Sequence, residues 1–130
     1  MRKFYAVLAA VAILVAFSSP AVLAQKDAKE TTISGKLIDG ACYTKLGKDK
    51  AVADGHDNCN MKCAKSGSPL AIFTSKQEIF TVTGDYTKDN NAKLIDFVSK
   101  QVEAKGHVMT DKDGKKELHL MSIKEVDTKP

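Results

Sequence analysis

Cys42, His56, Cys59 and Cys63 are the residues of this chain whose types and spacing could do chemistry. Three thiols and an imidazole form a Cys3His set, the number and kind of ligand that suits a closed tetrahedral zinc site. Soft thiolates, with the thioether of Met61 nearby, also suit copper(I). A thiol left beside His56 could be reactive, because an imidazolium lowers a thiol pKa. The same residues allow a plainer reading. Cys42 bonded to Cys59 or Cys63 would staple this segment to the fold, adding about 2–4 kcal/mol and leaving one thiol over. The C-x3-C spacing is neither the paired C-x2-C of zinc fingers nor the C-x-x-C of thioredoxin-like enzymes, so a thiol-disulfide enzyme is the least favoured of these readings.

The elements that must position these side chains follow from local patterns. Asp57 to Lys65 is expected to be a short helix, capped by Asp57 or Asn58 and stopped by Gly67 and Pro69. On such a helix Cys59 and Cys63 share one face, with His56 at or just before the first turn on the same side. Gly40 to Gly55 reads as a loop, flexible enough to bring Cys42 back against them. Thr31 to Asp39, Leu70 to Thr74, Glu78 to Thr83, Val102 to Thr110 and Glu117 to Val126 carry β-branched or alternating patterns and read as strands. Leu94, Ile95, Val98 and Val102 recur at helical spacing and predict a helix over Ala92–Gln101.

The expected fold is therefore mainly β. It is a five-stranded OB-fold-like barrel with one helix between strands three and four, and a short Cys-bearing helix inserted between strands one and two. Gly35 and Gly106 fall inside strands where a barrel must bend, which favours the barrel over a flat antiparallel sheet packed by the Leu94 helix.

Other candidate sites are weaker. His107, Met109, His119 and Met121 lie on the last hairpin, and a three-residue loop at Lys112-Asp113-Gly114 would set His107 opposite His119. That pattern is also what any half-buried strand shows. Tyr43 either lines the cysteine site or covers the barrel's edge. Asp111-Lys-Asp113-Gly114 lacks the later ligands of a calcium loop.

The 130-residue chain has a formal net charge of +4. Arg2 and Lys3 precede an apolar run from Phe4 to Phe17, then Ser18-Ser19-Pro20 and Val22-Leu23-Ala24. This predicts a secretory signal peptide over residues 1–24, leaving 25–130 as a single domain of net charge +2. Export, periplasmic or secreted, places the cysteines in an oxidising compartment. After cleavage the chain is not expected to be an integral membrane protein. Its charges are interspersed and no basic stripe with stacking aromatics is visible, so no nucleic-acid partner is expected. Nothing in the pattern names a protein or small-ligand partner.

Gly35-x-x-x-Asp39-x-x-Cys42-Tyr43, followed by Gly55-His56-x-x-Cys59-x-x-x-Cys63-x-x-x-Gly67-x-Pro69-Leu70, resembles a group of small exported bacterial proteins. The group shares a G…D..CY, H..C…C…G.P pattern and a barrel-like second half, here Val102 to Val108, Gly114 and Leu118 to Ile123. The resemblance covers most of the mature chain. It implies an OB-like fold and a common site for Cys42, His56, Cys59 and Cys63, and it supplies no activity. The leading expectation is an exported, non-enzymatic protein with a metal-binding (zinc or copper) or thiol-redox site. The alternative is a disulfide-stapled structural or interaction module that binds a protein or small ligand through the barrel face.

Overall fold

The structure, a computed structural model, describes residues 29–127; the expected signal peptide and the first residues after it lie outside them. The strands are β1 (Glu30–Asp39), β2 (Leu70–Thr74), β3 (Ile79–Thr83), β4 (Gln101–Thr110) and β5 (Lys116–Glu125). They close into a barrel in the order β1-β2-β3-β5-β4, with β4 returning to β1. All pairings are antiparallel except β3 with β5. The architecture is the expected OB-fold-like barrel.

Closure depends on two glycines. The first part of β1 pairs with β4 and the last part with β2, the two registers overlapping at Gly35 and Lys36. A Cβ on Gly35 would stand 2.3 Å from the Phe73 carbonyl oxygen, so only glycine lets β1 turn from one neighbour to the other. Gly106 follows a register shift in the β4–β5 ladder, and a Cβ there would stand 2.1 Å from the His119 carbonyl oxygen. The alternating inward residues, among them Ile33, Leu37, Leu70, Ile72, Phe80, Val82, Val102, Leu118 and Leu120, form one core. His107 does face His119 in the register of a three-residue loop.

Two connections differ from expectation. Gly40 to Gly55 is not an irregular loop. It contains α1 (Gly40–Leu46) and α2 (Lys48–Ala51), then a 3-10 turn over Asp54–His56 that leads into α3 (Asp57–Lys65). Between β3 and β4 the chain makes a 3-10 turn at Asp85–Thr87 and a left-handed turn at Lys88–Asn91, and where one helix was expected over Ala92–Gln101 it forms only a 3-10 turn at Ile95–Phe97 before β4 begins at Gln101. Asp89, Asn90 and Asn91 take positive φ (53°, 54° and 61°), so the turn before the expected helix is left-handed; inside the expected span, Val98 is extended (φ −60°, ψ 134°) and Ser99 has φ 65°, which stops a right-handed helix. The apolar spacing was nevertheless meaningful, since Leu94, Val98 and Val102 are buried in the core.

Those turns brace α3. The buried Asn91 side chain donates from Nδ2 to the carbonyls of Ala64 and Ser68, both at 2.9 Å. Ser99 accepts at 3.2 Å from Asn60 Nδ2, midway along α3. The helix ends as the sequence predicts. Gly67 has φ 86°, its N–H bonds to Ala64 and that of Ser68 reaches Cys63, which satisfies the last carbonyls.

Candidate metal centre

Cys42 is held by helix α1, whose start is organised by Asp39. This fully buried carboxylate at the end of β1 accepts from the backbone N–H groups of Ala41 (2.6 Å) and Cys42 (2.9 Å) through Oδ1. An N-cap aspartate satisfies otherwise unpaired first-turn donors and favours the helix dipole. An aspartate followed by Gly-Ala-Cys-Tyr is the sequence signal that marks this helix. Tyr43 does not face the cysteines' site as a lining group; its ring packs 5.8 Å from that of Phe73 on β2 and covers the barrel.

Cys59 and Cys63 stand on α3, and the opposite side of that helix fixes their direction. Asn60 and Ala64 are fully buried against the barrel. Asn60 Oδ1 accepts from the Asp39 backbone N–H at 3.3 Å, so the helix is tied to the end of the strand that launches α1. One position earlier than each of these buried residues, Cys59 and Cys63 are rotated about 100° away, into the angle between α3 and α1. Both are half-buried, as is Cys42. Met61 turns the other way and packs on the hydrophobic core. Asp57 makes no cap for α3; it pairs with Lys36 of β1, Nζ to Oδ1 at 3.3 Å.

The three sulfurs all lie within 4.8 Å of one another, and Cys42 Sγ and Cys59 Sγ are 3.9 Å apart. Two sulfurs bound to one tetrahedral zinc at about 2.3 Å would be about 3.8 Å apart, so the observed spacing needs only side-chain adjustment to suit a shared ion. All three cysteines are free, and the stapling bond of the alternative reading is not present.

The electrostatics single out a residue that sequence reasoning placed only in a pattern. The Cys63 thiol is set against the Asp39 carboxylate, which favours the protonated thiol; with burial, this pushes the Cys63 pKa up to about 12. Burial also raises the Cys42 pKa, followed by its contact with Cys59 and the charge of Asp39. Asp39 Oδ2 is buried and has no conventional donor. Without a bound cation the pocket therefore holds protons on Cys42 and Cys63 at neutral pH, and a metal must displace them.

His56 sits directly before α3, half-buried, and its nitrogens fall outside the 4.8 Å group of sulfurs. Its Nε2 is buried without a hydrogen-bond partner among the described residues. Of the four predicted ligands, the structure thus gathers three and leaves the imidazole outside that group. His107 and His119 acquire no third ligand among the described residues, and the His119 ring lies over Gly84. An open groove of about 590 Å³ borders α1, lined in part by Tyr43, Ile79, Thr81 and Lys116. No described helix is long and apolar enough to cross a membrane. Comparison with protein-family models, with curated proteins and with solved structures yields no match, so the functional reading rests on the geometry of the chain itself.

Proposed function

We propose that this chain is a small, exported, non-enzymatic metal-binding protein that holds zinc or copper(I) on Cys42, Cys59 and Cys63. The observation that carries the reading is the mutual approach of three sulfurs from two helices to within 4.8 Å. The two helices are separately anchored, α1 by Asp39 and α3 by Asn60 and Asn91, so the sulfurs are brought together by the fold rather than by chain proximity. Soft thiolates favour copper(I) and zinc over magnesium or calcium. His56, with its unpartnered Nε2, is the candidate fourth ligand for a tetrahedral ion. Export is supported by the apolar run Phe4–Phe17 and the Ala24 processing pattern.

The test is metal loading of reduced protein prepared without oxygen. One equivalent of zinc or copper(I) should bind per chain and protect three thiols from alkylation. Cys42→Ser, Cys59→Ser and Cys63→Ser should each weaken binding at least tenfold. His56→Ala should weaken zinc more than copper(I). Retention of all three free thiols at full metal excess would overturn the reading.

A further inference from the structure

The three thiols of the site are not equivalent, because different elements hold them. Cys42 on α1 and Cys59 on α3 face each other across the helix–helix angle with their sulfurs 3.9 Å apart. A bond between them requires a closure of just under about 2 Å, within the reach of rotamer changes on partly exposed side chains. Cys59 and Cys63 stand at i and i+4 of one helix. Their Cβ atoms are held about 5–6 Å apart, beyond the roughly 3.5–4.5 Å that a disulfide spans. Cys63 Sγ also lies within 4.8 Å of Cys42 Sγ, but the direct sulfur–sulfur contact, at 3.9 Å, is between Cys42 and Cys59. Cys42 and Cys59 are thus the pair whose contact is nearest to a bond.

We propose that Cys42 and Cys59 are a redox pair, and that their oxidation by a low-molecular-weight disulfide releases the metal held by the cluster. The proposal rests on the metal-binding reading above. One thiolate of the pair attacks a sulfur of the disulfide RSSR, forming a protein–SR mixed disulfide and expelling RS⁻. The other thiolate attacks the protein sulfur of that bond, forming Cys42–Cys59 and expelling the second RS⁻. The two protein thiolates lose two electrons, and RSSR is reduced to two RS⁻, which take two protons from solvent. Two of the three sulfur ligands are then consumed, and Cys63 alone cannot retain the ion. Metal occupancy and the cross-link are mutually exclusive states of one site. Reduction of the bond restores the ligand set.

The experiment uses zinc-loaded protein treated with oxidised glutathione, a chromogenic chelator reporting free zinc. Samples are quenched with iodoacetamide and digested with trypsin. Cleavage after Lys36, Lys45, Lys50, Lys62 and Lys65 places the three cysteines on separate peptides, 37–45, 51–62 and 63–65. The expected result is release of one zinc per chain in step with a 37–45/51–62 cross-link, Cys63 being recovered alkylated. Cys63→Ser should form the same cross-link. Zinc retained after the link has formed, a link through 63–65, or glutathione adducts that never resolve would overturn the proposal. Failure to load zinc or copper(I) would defeat the metal reading by itself. The same digest of oxidised metal-free protein then decides the pairing: a dominant Cys42–Cys59 link supports it, and a statistical mixture refutes it.

Discussion

Replacing Asp39 with alanine should disorganise α1 and with it the position of Cys42. The carboxylate is fully buried and bonds two first-turn N–H groups, at 2.6 and 2.9 Å. Loss of an N-cap side chain costs about 0.5–2 kcal/mol, and hydrogen bonds to a charged group are worth about 1.5–3 kcal/mol each. Removal also relieves the burial of a charge, which offsets part of the loss. A net destabilisation of about 2–3 kcal/mol results, equivalent to a fall in Tm of about 10–20 °C for a domain of this size. Asp39→Asn keeps an oxygen in the capping position and should lose no more than about 1 kcal/mol. It also removes the negative charge facing Cys63, so that thiol should become the faster to alkylate at pH 8. The assays are thermal melts by circular dichroism on reduced, metal-free protein, and timed iodoacetamide labelling of peptide 63–65. Equal melting of parent and Asp39→Ala would refute the capping argument. Unchanged labelling in Asp39→Asn would refute the claim that the carboxylate holds the Cys63 proton.

Asn91→Ala frees the carbonyls of Ala64 and Ser68 and should destabilise the fold by about 1–3 kcal/mol, read as a lower urea midpoint; it should also weaken metal binding because α3 loses its brace. Gly106→Ala forces a Cβ to 2.1 Å from a backbone oxygen and should abolish soluble folded protein or shift the strand register, which amide exchange along β4 and β5 would reveal. The Cys63 pKa is raised in the folded state, so the unfolded chain gives up this proton first. The metal-free fold therefore keeps the full contribution of the neutral thiol below about pH 9 and loses it as pH rises toward about 12. Urea midpoints of parent and Cys63→Ser should converge over that window, and parallel profiles would contradict the assignment.

Much of the barrel was legible because strand and turn signals are local. The limits of β2 and the end of β1, the α3 span of Asp57–Lys65, the left-handed Gly67 and the bends at Gly35 and Gly106 all follow from residue type and spacing. The Ala92–Gln101 helix was misread for a physical reason. Its apolar spacing reports burial, and burial of Leu94 and Val98 is met equally well by consecutive turns. Ser99, inside that span, is committed to bonding Asn60 of α3, and its positive φ after an extended Val98 excludes the helix.

The candidate centre divides along the same line. Spacing by itself determined that Cys59 and Cys63 share a helix edge, since i and i+4 positions must. It also determined that the chain offers three thiols and a neighbouring imidazole in one segment. Only the tertiary structure decided that Cys42 meets them, that its sulfur stands 3.9 Å from Cys59, and that His56 stays outside the sulfur group. It alone revealed Asp39 as the residue that caps one helix and faces the thiol of another. The reason is that these relations depend on the angle between α1 and α3. That angle is set by Asn60, Asn91 and the barrel end beneath them, contacts between residues far apart in the chain that no local pattern encodes.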